Sequence, residues 1–221
     1  MKNYSCLFLG SIFAFFFFVS CSGSGPTAFS APQPDGAKDL SAIPRRLVGQ
    51  YVSEDKSHSL FIAQNLIYRV FDYDITVHKN NLDSGDVIKG DTLISAGMSF
   101  KIKQIGDSIK THYHAVDTVF SLDKNNPIRK YKGYLFTNRY DGYGGWEVKK
   151  LSLTKGVLSI EGVNPIDSLK DIVEIKENNQ DSSGTHQIDV TRKQFRIIMK
   201  DGFSVESKYY KTQSSARKSE D

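Results

Sequence analysis

The chain has 221 residues, with 29 Lys and Arg against 25 Asp and Glu, a formal net charge of +4. So even a balance, with the charges scattered along the chain, excludes the dense basic surface that nucleic-acid binding requires. The two cysteines, Cys6 and Cys21, both fall in the first twenty-one residues. Whatever folds downstream therefore has no thiol for a disulfide, a metal or a nucleophile.

Lys2 gives a short positive start, and Leu7 to Val19 is an apolar run that includes Phe15, Phe16, Phe17 and Phe18. A run of about 13 residues is shorter than the roughly 20 that a spanning helix needs, and with a small residue at its end it reads as a secretory signal over residues 1–20. Phe18-Val19-Ser20-Cys21 resembles the lipobox of bacterial lipoproteins, with Phe18 standing where the family usually carries Leu or another aliphatic residue. The resemblance implies lipidation of Cys21 as the mature N-terminus, a membrane attachment through that lipid anchor, and a place in the bacterial cell envelope. Ser22 fits the family's passage to the outer membrane. Two or more acyl chains anchor a protein stably where one does so only marginally. The alternatives are an ordinary secretory signal that leaves Cys21 incidental, and an uncleaved apolar anchor. Removing residues 1–20 takes away only Lys2, so the mature chain keeps 28 basic residues against 25 acidic ones.

Residues 21–43 are rich in Ser, Gly, Pro and Ala without a sustained apolar period, and predict a lipidated flexible tether with a mean reach of roughly 25 Å. A β-rich domain is expected over 44–212, with a disordered, charged tail at 213–221. Within the domain the dominant period is two. Leu60 and Ile62, then Leu66, Tyr68 and Val70, flank a break at Gln64-Asn65. Phe71, Tyr73, Ile75 and Val77 alternate with Asp72, Asp74, Thr76 and His78, which predicts a half-buried strand. Strands are expected over 91–94, 98–105, 110–120, 131–140, 146–153 and 157–161. Asp141-Gly142-Tyr143-Gly144-Gly145 marks a hairpin between two of them, because glycine tolerates the positive φ such turns need. Asn164, Pro165, Ile166 and Leu169 predict a short helix over 165–171, followed by a strand over 172–176 and a polar loop over 177–185. Phe195, Ile197 and Met199, then Lys200-Asp201-Gly202, then Phe203 and Val205, predict a last hairpin.

Some ten short strands with Gly, Asn and Asp turns predict an all-β fold, a mostly antiparallel β-barrel or sandwich with one short helix. A closed barrel has no exposed edge to invite aggregation. Two smaller β-domains divided near Asn125-Asn126-Pro127 are the alternative. Leu47-Val48-Gly49-Gln50-Tyr51 resembles the start of lipocalin-like barrels, which usually carry Trp where this chain has Tyr51. That resemblance implies a cup-shaped barrel and names no ligand.

Asp72, Asp74 and His78 share one face of a strand, and His112 and His114 share a face of another. These are zinc-type ligands at a spacing that could converge if the strands were neighbours, with Lys110 on the same face weighing against it. Solvated faces of half-buried strands are the simpler reading. No nucleophile elbow, His-Glu-x-x-His or phosphate-cradling motif is present. Tyr131, Tyr134, Phe136, Tyr140, Tyr143 and Trp146 gather rings around the glycine-rich hairpin, where they could line a pocket, stack on a sugar or fill a core. Tyr143, between two glycines, is the hardest of them to bury. The functions these features favour are a binding module for a small apolar molecule or glycan, then a structural lipoprotein docking on another envelope protein, then a metal-dependent enzyme built on the Asp and His faces.

Overall fold

The computed structural model describes residues 26–173 and 184–212, so the signal, Cys21, most of the expected 172–176 strand and the tail lie outside the described residues. In chain order come β1 (Thr27–Phe29), β2 (Gly49–Ser53), β3 (Ser59–Ile62), β4 (Leu66–His78), β5 (Val87–Lys89), β6 (Thr92–Ser95) and β7 (Met98–Ile105). They are followed by β8 (Ser108–Ser121), β9 (Ile128–Tyr131), β10 (Tyr134–Tyr140), β11 (Trp146–Thr154) and β12 (Val157–Val163). The remainder is β13 (His186–Ile188), the α-helix α1 (Arg192–Asp201) and β14 (Phe203–Lys211).

All fourteen strands join one sheet, in the order β13-β1-β11-β12-β14-β2-β3-β4-β8-β7-β6-β5, with β10 on the other edge of β11 and β9 beyond it. Only β1 and β13 run parallel. The stretch from β9 round to β8 doubles over, because its inward side chains share one core. Ile128, Leu135, Leu151, Leu158, Tyr209, Tyr51, Leu60, Ile67 and Phe120 meet there, although they come from nine different strands. Each such burial contributes about 1.5–3 kcal/mol. Among the described residues no ladder joins β8 to β9. The fold is therefore sandwich-like and open, not a closed barrel. The core draws on both sides of Asn125-Asn126-Pro127.

The tether expected over 21–43 is corrected from Pro26 onward. Thr27, Ala28 and Phe29 are buried between β13 and β11, and Ile43 and Leu47 plug one end of the doubled sheet. Between them the backbone is stitched in: Leu40 N donates to Ile128 O (2.8 Å) and Ile43 N to Gln64 O (2.7 Å). Asn138, fully buried, holds the same segment at Gln33, accepting from Gln33 N (2.5 Å) and donating through Nδ2 to Gln33 O (2.9 Å). A Ser/Gly/Pro-rich composition was compatible with order because its few apolar residues dock individually and one distant Asn satisfies its backbone.

The last predicted hairpin is also corrected. Residues 192–201 form α1, and only β14 of the expected pair is a strand. Thr191 and Gln194 close a capping box, with Gln194 N donating to Thr191 Oγ1 (3.3 Å) and Thr191 N to Gln194 Oε1 (2.9 Å). Phe195, Ile198 and Met199 then fall on one helical face and Ile197 is exposed. That face packs on the outer side of β10 and β11, with Phe195 edge-on to Phe136 at 5.3 Å and to Phe29 at 6.0 Å. The short helix predicted over 165–171 is a single 3-10 turn, Ile166–Leu169.

β4 and β8 pair from Leu66↔Ser121 to His78↔Ser108, with one bulge between Ile67 and Tyr68. β3 flanks only Ser59↔Val70 to Ile62↔Ile67, and β7 only Ser108–Thr111. Between those supports, residues 71–74 and 112–115 pair only with each other, and past them Leu93, Ile102 and Ile109 form a small cluster where β7 joins β8. The half-buried strand predicted from Phe71 to His78 forms within β4: Phe71, Ile75 and Val77 are half-buried and Asp72, Asp74, Thr76 and His78 exposed, and the exception is Tyr73, which is exposed and leans on Tyr113 at 5.3 Å.

Candidate functional site

Followed along the strands, the inner face of the doubled sheet changes chemistry. Leu135 gives way to Thr137 and Arg139 on β10, Leu151 to Lys149 and Glu147 on β11, and Ile67 to Arg69 on β4, each two residues apart and so on the same side. The apolar positions fill the plugged end, and the charged ones line a cleft of about 250 Å3 at the other. Asp117 from β8 and Glu206 from β14 complete its walls, with Ile160 and Tyr209 among its apolar lining.

The charges pair among themselves. Lys149 Nζ stands 2.9 Å from Glu147 Oε1 and 2.5 Å from Glu206 Oε1, bridging β11 and β14. Arg139 Nε donates to Glu147 Oε2 (2.8 Å), and Arg69 Nε to Asp117 Oδ2 (3.1 Å). Burial alone would raise the Glu147 carboxyl, but Lys149 and then Arg139 outweigh it and hold it below its usual range. Burial would likewise lower the Lys149 ammonium, and Glu206 and Glu147 raise it instead. Next to the cleft, His58 shares a hydrogen bond with the Tyr209 hydroxyl (3.1 Å) and is held below its usual value by burial, then by the Arg69 charge.

Glu147 and Lys149 are thus shifted away from neutrality. The cleft presents donors and acceptors beside the apolar side chains of Ile160 and Tyr209.

The residues singled out for metal chemistry do come together. Asp72 faces His114 and Asp74 faces His112 across β4 and β8. They form a ladder: Lys110 Nζ to Asp74 (2.7 Å), His112 Nδ1 to Asp74 (3.2 Å), His112 Nε2 to Asp72 (3.3 Å) and His114 Nδ1 to Asp72 (3.1 Å). Lys110 and both imidazoles spend themselves on the carboxylates, all in water. His78 instead accepts from Asn80 N (3.2 Å), capping a 3-10 turn. Among the described residues no group of three or more His, Cys, Asp or Glu is arranged to hold a metal ion.

The aromatic run divides. Phe136 is fully buried, Tyr131 and Tyr134 pack on the α1 side, and Trp146 lies under Tyr140 at 5.2 Å. Tyr140 and Tyr143 are exposed, at 41% and 58%. Sequence reasoning missed the cleft residues altogether. Their signal was phase: Arg139, Lys149, Glu147 and Arg69 keep the same parity as the core leucines and isoleucines of their strands. Comparison with protein-family models, curated proteins and solved structures finds no match.

Proposed function

We propose that this chain is an exported lipoprotein, anchored in the cell envelope through acylated Cys21, and that its charged cleft binds a glycan. The observation that carries the ligand class is the lining of the 250 Å3 cleft by Arg69, Asp117, Arg139, Glu147, Lys149 and Glu206. Paired carboxylates and guanidinium groups bridge vicinal hydroxyls, whereas a small apolar ligand would desolvate these ion pairs without offering them a hydrogen bond. The anchor and the outer membrane rest on the lipobox-like Phe18-Val19-Ser20-Cys21 and on Ser22.

Titration with chito-oligosaccharides and lipopolysaccharide-core oligosaccharides, read by amide chemical shifts, tests the ligand. The expected response centres on residues 137–139, 147–149 and 206–209. Arg139→Ala weakens binding about 10- to 100-fold, the loss of about 1.5–3 kcal/mol that a charged hydrogen bond supplies. Arg139 is exposed, so the variant keeps its fold. Silence of the cleft amides at millimolar glycan refutes the reading.

A further inference from the structure

The β10–β11 hairpin tip is a rigid display. Asp141 Oδ1 accepts from Tyr143 N (2.7 Å) and Gly145 N (3.0 Å), Gly142 and Gly144 take φ of 87° and 99°, and Gln187 Nε2 donates to Tyr143 O (3.2 Å). The ring so presented is 58% exposed, with Tyr140 beside it on Trp146. Nothing in the fold needs a large ring there, since the turn is built by the Asp and the glycines.

The same tip borders the point where the chain enters the fold. Phe29 pairs with Trp146, and Pro26 O accepts from His186 N (2.8 Å) next to Gln187. Pro26, Thr27 and Ala28 line one hollow with Asp141 and Arg139. Cys21 lies five residues before Pro26. Five residues span at most about 17 Å, against the 25 Å mean reach of a 22-residue coil. Tyrosine is suited to the boundary between headgroups and acyl chains, where its ring is buried and its hydroxyl stays wet.

We infer that Tyr143, with Tyr140, seats the domain on the very bilayer that holds Cys21, the short leash delivering the hairpin to the headgroup region. The inference rests on the lipid-anchor reading proposed above. It makes the domain an oriented body on the membrane surface, not one that swings clear of it.

The test uses the full chain, processed in a bacterial host and reconstituted in phosphatidylcholine vesicles. Trp146 is the sole tryptophan, so W146F/Y143W carries its only indole at the tip. W146F/K130W carries it at exposed Lys130, which pairs with Leu135 at the opposite end of β10. With brominated lipid, the emission of W146F/Y143W is lost and shifted to the blue, and that of W146F/K130W is unchanged. Equal emission from both variants, or an unquenched tip in protein that stays with the lipid, overturns the seating alone. Concentration-dependent shielding of the tip without a response to brominated lipid assigns the face to a second copy and also overturns it. Recovery of the processed chain in the aqueous phase of a detergent partition overturns the anchor and the seating with it.

Discussion

Asn138→Leu isolates the interaction that turns a tether-like sequence into part of the fold. Leu keeps the branched outline of Asn and is somewhat larger, so the change removes polar contacts without opening a cavity. It strips Gln33 N of its acceptor and Gln33 O of a donor, both in a residue only 2% exposed. Each orphaned buried backbone group costs about 1–3 kcal/mol, or about 4 kcal/mol for the pair. For a domain of this size each kcal/mol moves the midpoint about 2–4 °C, so Tm falls by about 10 °C. Circular-dichroism melts measure that fall, and amide exchange shows residues 33–43 losing protection first. A midpoint within about 2 °C of the parent, with residues 33–43 as protected as before, refutes the claim that this segment is integral.

Three more outcomes follow from the same structure. Lys150 pairs with Glu161 in the interior (2.5 Å) while its Nζ lies 5.2 Å over the Tyr134 and Phe203 rings. Lys150→Met leaves Glu161 buried and alone and costs about 3–5 kcal/mol in urea denaturation, most of which K150M/E161L recovers. Asp55 is held at about 2, against an ordinary 3.8, first by the Ser53 hydroxyl and then by the Ser57 amide and hydroxyl. The folded state then binds fewer protons than the unfolded chain between those values, so this contribution is present above about pH 4 and is lost as pH falls toward 2. Asp55→Asn flattens that limb of an acid-denaturation curve. Thr191→Ala removes the α1 cap and costs about 1 kcal/mol by thermal melt, with early exchange confined to residues 192–196.

The β class was legible because alternation is a local property, and the turns at Asp141–Gly145 and Lys155-Gly156 demand backbone angles that few residues tolerate. α1 was misread for a specific reason. Phe195, Ile197 and Met199 satisfy period two, while Phe195, Ile198 and Met199 satisfy the helical period, and ten residues cannot separate the two. What decides is Thr191 with Gln194 at one end and Gly202 at the other, whose N–H donates to Ile198 O (2.7 Å). The Asp72–His114 and Asp74–His112 pairs were legible as shared faces, but not as cross-strand partners, because the register of β4 on β8 is a matter of tertiary pairing.

The cleft shows why placement and chemistry separate in such a fold. Each strand commits its inward parity to the core for as long as a facing layer is near. Once the layers part, the same parity must meet water, and charged residues take over: Arg139 after Leu135, Arg69 after Ile67. The Lys149 bridge from Glu147 to Glu206 then ties β11 to β14 at the open end. A ligand entering there must replace contacts the cleft already makes with itself. On the glycan reading proposed above, only a molecule offering donors and acceptors in matching places recovers that cost, so the self-paired charges would set selectivity more than affinity.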